Sequence, residues 1–213
     1  MITKPGTLPK FSRWQGEQRR IGLTGGLASG KSTVGNFLQK QKGLPVLDAD
    51  LYAHEVLAKD TIATEAVLKR YGSKVAINKN EITSALDRSA LAKIIFSNKK
   101  ERLWLENLVH PQVSQKIEIA TKRNSKEPIV VIIIPLLFEA NFTSMCSEIW
   151  LVDCSLEQQY QRVINRDGLS MNEAKMRIDA QWPLHQKRSL ADVIIDNNQG
   201  YQSWIPQVQA LLE

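Results

Sequence analysis

The chain has 213 residues, of which 43% are apolar, so it can bury a sizeable core and is not compositionally disordered. The net charge is +6, but residues 1–20 carry +4 of it through five basic residues against Glu17. The remaining body is nearly balanced, which excludes the broad basic surface expected of a nucleic-acid-binding domain. The longest apolar run, residues 129–138, is too short to span a bilayer as a helix. No secretory signal is visible either, so we expect a cytoplasmic protein without a membrane or nucleic-acid partner.

The predicted elements begin with an N-terminal arm, residues 1–20, whose prolines and glycines are typical of a flexible or loosely docked segment. Residues 21–213 form one α/β domain, in which short β-like runs alternate with helical stretches and predict a mainly parallel sheet. The predicted strands are residues 21–24, 45–48, 129–134, 149–153 and 193–196. The third is apolar throughout, so both of its faces must be covered by helices.

Two helical insertions interrupt this core. No convincing strand lies between residues 51 and 126, where apolar residues recur at helical spacing and Pro111 suits the first turn of a helix. This pattern predicts a helical lobe over residues 51–126. A second helical stretch, residues 155–190, is rich in Arg, Gln and Lys. The predicted core is therefore made of residues 21–50, 127–154 and 191–213.

A glycine-rich stretch follows the first strand directly. Residues 25–32 read Gly-x4-Gly-Lys-Ser and precede an apolar, helix-like run, which is the spacing and context of a P-loop. Glycines let backbone N–H groups wrap around phosphate oxygens without side chains in the way. The helix N-terminus adds a positive dipole end, Lys31 reaches the outer phosphates, and the Ser32 hydroxyl joins the shell of Mg²⁺. The stretch predicts a nucleoside triphosphate site.

The kind of P-loop protein follows from what is missing. A switch GTPase needs an Asn-Lys-x-Asp guanine reader, and a mechanical ATPase needs more chain and a strand that ends in an acid. Here the third strand runs into Pro135 with no acid before Glu139. This leaves a small kinase with an acceptor-binding lobe and a closing lid.

Two acids follow the second predicted strand. Asp48 and Asp50 are two residues apart and would face the same way on an extended chain, at the strand end where ligands collect. There they could hold Mg²⁺ and accept a proton from an attacking hydroxyl. The alternative is a strand-end turn in which Asp50 caps a helix.

A set of short strings gives a more specific indication. In order across residues 21–198, the chain resembles the dephospho-CoA kinase family, whose members phosphorylate the ribose 3′-hydroxyl of dephospho-CoA with ATP. The strings are "IGLTGGLASGKSTV", "LDAD", "LDRSALAKIIFSN", "LENLVHP", "IPLLFE", "QRVINRDGLS" and "ADVIIDNN". The resemblance implies a nucleoside-monophosphate-kinase-like P-loop fold, a five-stranded parallel sheet with a helical substrate lobe and a helical lid.

The resemblance also implies roles for individual residues. Asp50 would be the base, and Lys31 with two lid arginines, Arg162 and Arg166, would act on the transferring phosphate. The nucleotide-binding residues would be Gly26, Leu27, Ala28, Ser29, Gly30, Lys31, Ser32, Thr33, Asn197 and Asn198. Those of the acceptor pocket would be Asp50, Arg88, His110, Leu136 and Phe138, with Ser32 and Asp48 near Mg²⁺. Read from the residues alone, the two arginines share a helix face, and two solvated surface arginines are the alternative. A structural histidine is the alternative for His110, and a helix-surface charge is the alternative for Arg88.

The chain departs from the family pattern at two positions. His54 stands where the family usually has Arg, and Ile133 stands where many members carry Asp. The N-terminal arm is also longer than usual. Two other functions are open at this point: a kinase for a nucleoside monophosphate or another small alcohol, and a nucleotide-dependent RNA-binding module that uses the basic arm. We expect a monomer or a weak homo-oligomer.

Overall fold

The computed structural model describes residues 12–78, 84–199 and 202–213. Within them, five parallel strands form one sheet in the order β2-β3-β1-β4-β5. The strands are β1 (Arg19–Gly25), β2 (Val46–Asp48), β3 (Ile129–Ile133), β4 (Glu148–Asp153) and β5 (Val193–Asp196). The predicted fold class, an α/β fold with a five-stranded parallel sheet flanked by helices, is confirmed.

Helices fill the connections between these strands. The described ones are α1 (Lys31–Lys40), α2 (Ala49–Val56), α3 (Ile62–Tyr71), α4 (Arg88–Ser97), α5 (Lys99–Arg123), α6 (Leu156–Asp167), α7 (Met171–Asp179), α8 (Leu184–Arg188) and α9 (Ile205–Ala210). Short 3₁₀ turns lie at Gly72–Lys74 and Phe142–Met145. Of the described helices, none is both long enough and apolar enough to cross a bilayer. We call residues 51–126 the helical lobe and residues 155–190 the lid, which are the bounds given in the sequence analysis.

The sheet is covered on both faces, as the apolar third strand requires. Val130 and Ile132 of β3 pack into a core with α2 to α5, whereas Val131 and Ile133 pack into a second core with α1 and α9. Successive side chains of a strand point to opposite faces, so one continuous apolar run supplies both layers. The carboxyl edge of the sheet is therefore held between two packed layers. The loops that follow β1 and β2 begin at this edge.

Helix α5 differs from the prediction at Pro111. The sequence indicated a helix that starts at this proline, but α5 continues through it from Lys99 to Arg123. Proline removes one backbone donor and normally bends or breaks a helix. The buried residues of α5 recur every four positions and pack into the lobe core, which offsets that loss. They are Leu105, Val109, Val113, Ile117 and Thr121.

The described end of the N-terminal arm packs on the body. The backbone N–H of Trp14 donates to the Cys146 carbonyl at 3.0 Å, and the Arg13 guanidinium forms an ion pair with Asp192 at 3.3 Å. The Arg20 guanidinium lies 3.5 Å from the centre of the Trp14 ring, a cation–π contact. Strand β1 begins at Arg19, two residues before the predicted start of the domain. Residues 1–11 of the predicted arm lie outside the described residues.

Candidate active site

The loop between β1 and α1 has a backbone that only its glycine spacing permits. Gly30 has a φ of 106°, a conformation that side chains rarely adopt. A Cβ at Gly30 would lie 2.4 Å from the Asn197 amide nitrogen, so a side chain would also displace that residue. Ala28 adopts the left-handed region with a φ of 56°. Glycine is therefore required at Gly30 by both conformation and space.

The N-terminus of α1 is open to an anion. Its N-cap is Gly30, which offers no side-chain cap, and the first turn contains no acidic residue. The first backbone N–H groups of a helix lack intrahelical partners, and together with the helix dipole they attract negative charge. The Ser29 hydroxyl in the same loop is buried without a hydrogen-bond partner in the described protein. Loop and helix end thus offer several donors in one place.

Lys31 is the buried cation of this loop. Its side-chain ammonium donates to the carbonyls of Gly26 at 2.7 Å and Gly25 at 3.2 Å. Burial lowers the pKa of Lys31 from the ordinary 10.5 to about 8, and the nearby ammonium of Lys187 acts in the same direction. The Asp50 carboxylate opposes this shift. The Lys31 amine therefore stays protonated, and so positively charged, most readily when negative groups lie beside it.

Asp48 and Asp50 are not two positions of one extended strand, so that expectation was wrong. Strand β2 ends at Asp48, which is the N-cap of α2, and its carboxylate accepts a hydrogen bond from the Asp50 N–H at 2.9 Å. The capping role that the sequence offered as an alternative belongs to Asp48 and not to Asp50. Asp50 is left in the first turn of α2 with its carboxyl in the cavity.

The Asp50 carboxyl has a raised pKa. It is accessible to water inside the cavity, yet protein surrounds it closely, and the resulting desolvation is the largest cause of the shift. The neighbouring Asp48 carboxylate raises the pKa further, whereas Lys31, His54 and Arg166 lower it. A carboxylate with a raised pKa is a better proton acceptor at neutral pH than an ordinary one.

The two predicted lid arginines lie on α6 and both line the cavity. Arg162 donates to the carbonyls of Asn197 at 3.2 Å and of Ala28 at 3.4 Å, so it ties the lid to the phosphate loop. Arg166 forms two hydrogen bonds with Asp167 and its side chain is 58% exposed. Arg162 is thus already in contact with the loop, whereas Arg166 lines the cavity with its guanidinium held by Asp167.

The two asparagines after β5 have different environments. Asn197 is buried, lines the cavity, and donates from its amide to the Ser29 carbonyl at 2.8 Å. Asn198 is exposed, and its amide oxygen accepts from the Ser155 N–H at 2.8 Å, at the start of the lid. Asn197 therefore braces the phosphate loop directly, whereas Asn198 fixes the junction between β5 and α6.

One cavity of about 1170 Å³ connects the phosphate loop with the helical lobe. Residues 27–33, Asp50, His110, Leu136 and the two lid arginines line it. Burial lowers the pKa of His110, whose ring meets Phe142 edge-on with 5.7 Å between centroids. His110 also lines a neighbouring cavity of about 590 Å³, with Trp14 and Arg20 of the arm.

Two predicted acceptor residues lie outside the described lining of the large cavity. Phe138 is only 2% exposed and packs in the core between the sheet and the lobe. Arg88 lies at the start of α4 and donates to the His54 carbonyl at 3.0 Å, so it fastens α4 to the end of α2. The resemblance implied a place beside the substrate for both residues, with a helix-surface charge as the alternative for Arg88. Arg88 is exposed in this structure, and the role of both residues in acceptor binding stays a prediction.

The positions that depart from the family pattern also have clear environments. His54 is an exposed residue in the last turn of α2. Ile133 is 5% exposed and packs against Gly35 of α1, where a Cβ would approach Ile133 Cδ1 to 2.4 Å. Ile133 is therefore part of the core beneath the phosphate loop, and an acid there would be buried without water.

A buried ion pair lies at the floor of the site and was not predicted. The Lys187 side chain is fully buried, and its ammonium contacts the Glu139 carboxylate at 2.8 Å and the Pro135 carbonyl at 3.2 Å. The Glu139 carboxylate also accepts a hydrogen bond from the backbone N–H of Trp182 at 2.9 Å. The pair joins the lid to the loop after β3. A lysine within an Arg- and Lys-rich helix carries no sequence signal of burial.

Arginines at the lobe end of the cavity were also missed. Arg102 of α5 and Arg177 of α7 line this end together with Phe96 of α4. The signal that could have found Arg102 is its position on α5, since residues 102, 106, 109 and 113 share one helix face that lines the cavity. Arg177 had no comparable signal, because its wall is formed only when α7 packs against α4.

Comparison with known proteins places this geometry in one family. The family model described as dephospho-CoA kinase matches residues 19–203. A dephospho-CoA kinase of Prochlorococcus marinus (strain MIT 9313) is 52% identical over 200 residues, which cover 94% of this chain and 98% of that protein. One from Synechococcus sp. (strain CC9605) is 54% identical over 196 residues, covering 92% and 93%.

Solved structures agree with the sequence relatives. The crystal structure of TT1252 from Thermus thermophilus superposes with a TM-score of 0.74 at 33% identity, covering 92% of this chain and 97% of that one. The dephospho-CoA kinase from Campylobacter jejuni gives a TM-score of 0.62 at 28% identity, covering 91% and 94%. By the extent and identity of these matches, the chain belongs to the dephospho-CoA kinase family.

Proposed function

We propose that this protein transfers the terminal phosphoryl group of ATP to the ribose 3′-hydroxyl of dephospho-CoA, giving coenzyme A and ADP, the last step of coenzyme A biosynthesis. Membership of the family supports the reaction. The single structural observation that carries it is one continuous cavity that brings together the phosphate loop with Lys31, the Asp50 carboxyl, and the arginines of the lid.

The donor end binds ATP through its phosphates. The backbone N–H groups of residues 26–33 and the N-terminus of α1 surround the phosphate oxygens. The Lys31 ammonium exchanges the Gly25 and Gly26 carbonyls for phosphate oxygens, which raise its pKa again because they are negative. Asn197 holds the loop through its hydrogen bond to the Ser29 carbonyl. We place the adenine on the side of the site where Asn197 and Asn198 lie.

At the acceptor end, Asp50 handles the proton. The oxygen of the 3′-hydroxyl attacks the terminal phosphorus, the bond from phosphorus to the ADP oxygen breaks, and the hydroxyl proton passes to the Asp50 carboxylate. The transition state of such transfers is loose, so alignment and charge stabilisation matter more than base strength. His110 and Leu136 contribute lining that positions the acceptor.

The lid supplies the remaining cationic groups around the transferring phosphate. Arg162 is already hydrogen-bonded to the loop at Ala28, whereas Arg166 exchanges its Asp167 partner for the transferring phosphate. Planar guanidinium groups suit the equatorial oxygens of that phosphate. Closure of α6 also excludes water that would hydrolyse ATP. The buried pair of Lys187 and Glu139 fixes the base of the lid while α6 moves.

The donor set at this end fits Mg²⁺. The described residues contain no cluster of three or more acidic, His or Cys side chains able to hold a metal, which matches the few protein ligands that Mg²⁺ takes beside phosphates. Ser32 offers its hydroxyl from the cavity wall, and the proximity of Asp48 and Asp50, which raises the pKa of Asp50, is the kind of repulsion that a cation relieves. When bound, Mg²⁺ neutralises charge on the outer phosphates. We therefore assign Ser32 and Asp48 to its environment.

A coupled assay of ADP release with dephospho-CoA as the sole acceptor tests this function. We expect ADP release to match the formation of coenzyme A, detected by mass as dephospho-CoA plus one phosphoryl group. Parallel assays with AMP, CMP and shikimate test the rival kinase activities. A larger kcat/KM for any of these than for dephospho-CoA would overturn the assignment.

A nucleotide-dependent RNA-binding module is the candidate from another class. It predicts an RNA affinity that falls with salt and disappears when residues 1–20 are removed, without any phosphoryl transfer. The docked contacts of Trp14 and Arg20 favour a structural place for the end of the arm instead. The cytoplasmic location, the monomeric or weakly associated state and the absence of a nucleic-acid partner stay predictions.

A further inference from the structure

The lobe end of the large cavity contains two arginines that the catalytic scheme leaves unused. Arg102 projects from α5 and Arg177 from α7, so one belongs to the helical lobe and the other to the lid. Their side chains are 22% and 32% exposed, so each is partly shielded from solvent but can be reached from the cavity. Arginine in such a setting has high affinity for a divalent or doubly charged anion.

Neither arginine uses all of its hydrogen-bond donors on the neighbouring carboxylate. The nearest charged partner of Arg102 is Glu106, at 3.7 Å, which is beyond hydrogen-bond distance. Arg177 makes one contact with Asp167, at 3.2 Å. By contrast, Arg188 places two nitrogens on Asp153, at 2.8 and 2.5 Å. The two cavity arginines therefore keep donors that a ligand can use.

Contacts across the cavity hold Arg177 near the lobe. Its guanidinium lies 5.5 Å from the centre of the Phe96 ring of α4, which also lines the cavity. The Asp167 carboxylate accepts hydrogen bonds from both Arg166 and Arg177. One acid thus links the arginine assigned to the transferring phosphate with the arginine at the acceptor end.

We propose that Arg102 and Arg177 bind the 5′-diphosphate of the acceptor from facing walls of the cavity. This rests on the proposed function, because dephospho-CoA presents a diphosphate on the side of the ribose away from the 3′-hydroxyl. Asp50 and the two arginines line the same cavity, so one acceptor molecule can contact all three. Glu106 beside Arg102 and Asp167 beside Arg177 are the opposing charges at this end, and a bound diphosphate must compete with both.

The arrangement links acceptor binding to closure of the lid. A diphosphate held by α5 and α7 together joins lobe and lid, and it draws Arg177 away from Asp167. Asp167 then keeps Arg166 as its remaining partner until that side chain turns to the transferring phosphate. Acceptors without a diphosphate lose this link, so the site selects nucleotides of the dephospho-CoA type over adenosine.

The test uses Arg102→Gln and Arg177→Gln in the full chain, with steady-state kinetics for both substrates. We expect the KM for dephospho-CoA to rise about tenfold or more for each variant, the size of one lost charge-assisted hydrogen bond, while kcat and the KM for ATP stay within about twofold. Lys100→Gln on α5 and Lys175→Gln on α7 are matched controls two residues away on the same helices. They should leave all three constants unchanged.

Calorimetry separates binding from folding. Adenosine, which has the 3′-hydroxyl but no diphosphate, should bind wild type and both Gln variants with equal affinity, and Arg177→Lys should recover most of the dephospho-CoA affinity. An unchanged KM for dephospho-CoA, an equal rise in the KM for ATP, or an equal loss of adenosine binding would overturn the proposal. Failure of the wild-type enzyme to phosphorylate dephospho-CoA would instead overturn the proposed function.

Discussion

The two ends of the large cavity are built in different ways. The phosphate end consists of one short loop whose backbone N–H groups and buried Lys31 are held by β1, α1 and Asn197. The acceptor end consists of side chains from α2, α4, α5 and α7, several with exposed or distant partners. A rigid donor site beside an adaptable acceptor site suits an enzyme that must close over two substrates without hydrolysing the first.

The two ends also differ in how charge is held. Lys31 is desolvated and depends on its ligand for protonation, whereas Arg102 and Arg177 carry permanent charges near the solvent. Substitutions at the phosphate end should therefore impair the chemical step, and those at the lobe end should impair acceptor binding. The following predictions test this difference, from the largest expected effect to the smallest.

Lys31→Ala should lower kcat by roughly 10²–10³, because it removes one preorganised charge from the transferring phosphate. Steady-state ADP release measures the change. Lys40→Ala, at the exposed end of the same helix, is the matched control and should be indistinguishable from wild type. If Lys31→Ala turned over at near the wild-type rate, the loop would not be the catalytic phosphate site.

Asp50→Asn should lower kcat by about 10², the lower end of the range for general base catalysis, since base strength matters little in a loose transition state. ATP binding should be retained, which calorimetry checks. Glu55→Gln on the same helix removes a carboxylate that is 56% exposed and pairs with Lys116 on the surface, so it should leave kcat unchanged. An unaltered kcat for Asp50→Asn would leave Asp50 without a role in proton transfer.

The affinity for ATP should fall with rising pH above about 8. The pKa of Lys31 in the free protein is lowered to about 8, so raising the pH through this value removes the charge that ATP requires. We expect about a tenfold weaker Kd one pH unit above that pKa, compared with pH 7. In Lys31→Arg the charge persists and the pH dependence should disappear. The same alkaline weakening in both proteins would assign it to another group.

Arg88→Ala should change the kinetic constants by less than about twofold, the smallest effect expected. Arg88 is exposed, lies outside the described lining of the cavity and donates a hydrogen bond to the His54 carbonyl, and surface changes of this kind cost little. Parallel kinetics with Arg102→Gln give the comparison. A tenfold rise in the KM for dephospho-CoA in Arg88→Ala would restore the role that the resemblance implied.

Local sequence was sufficient for the phosphate loop and for the strands. Gly30 and Lys31 contact the backbone of residues a few positions away in the chain, so the spacing of this short motif is enough to predict the loop. The strand at 129–133 could be read from its unbroken apolar run, which needs cover on both faces. By contrast, Asp48 and Asp50 were placed on one extended strand, because nothing local showed that α2 starts directly after β2. Pro111 was taken for a helix start, because the packing that carries α5 through it involves distant partners.

By itself, the sequence determined the family, the fold and the position of the phosphate loop, since each depends on neighbouring residues or on a short strand's two faces. Only the tertiary structure decided which side chains from outside the phosphate loop line the cavity. It buried Phe138 and Lys187, left Arg88 exposed at the start of α4, and brought Arg102 and Arg177 to one cavity. The physical reason is that helix packing sets the direction of a side chain, and helices α4, α5 and α7 meet only in the folded chain.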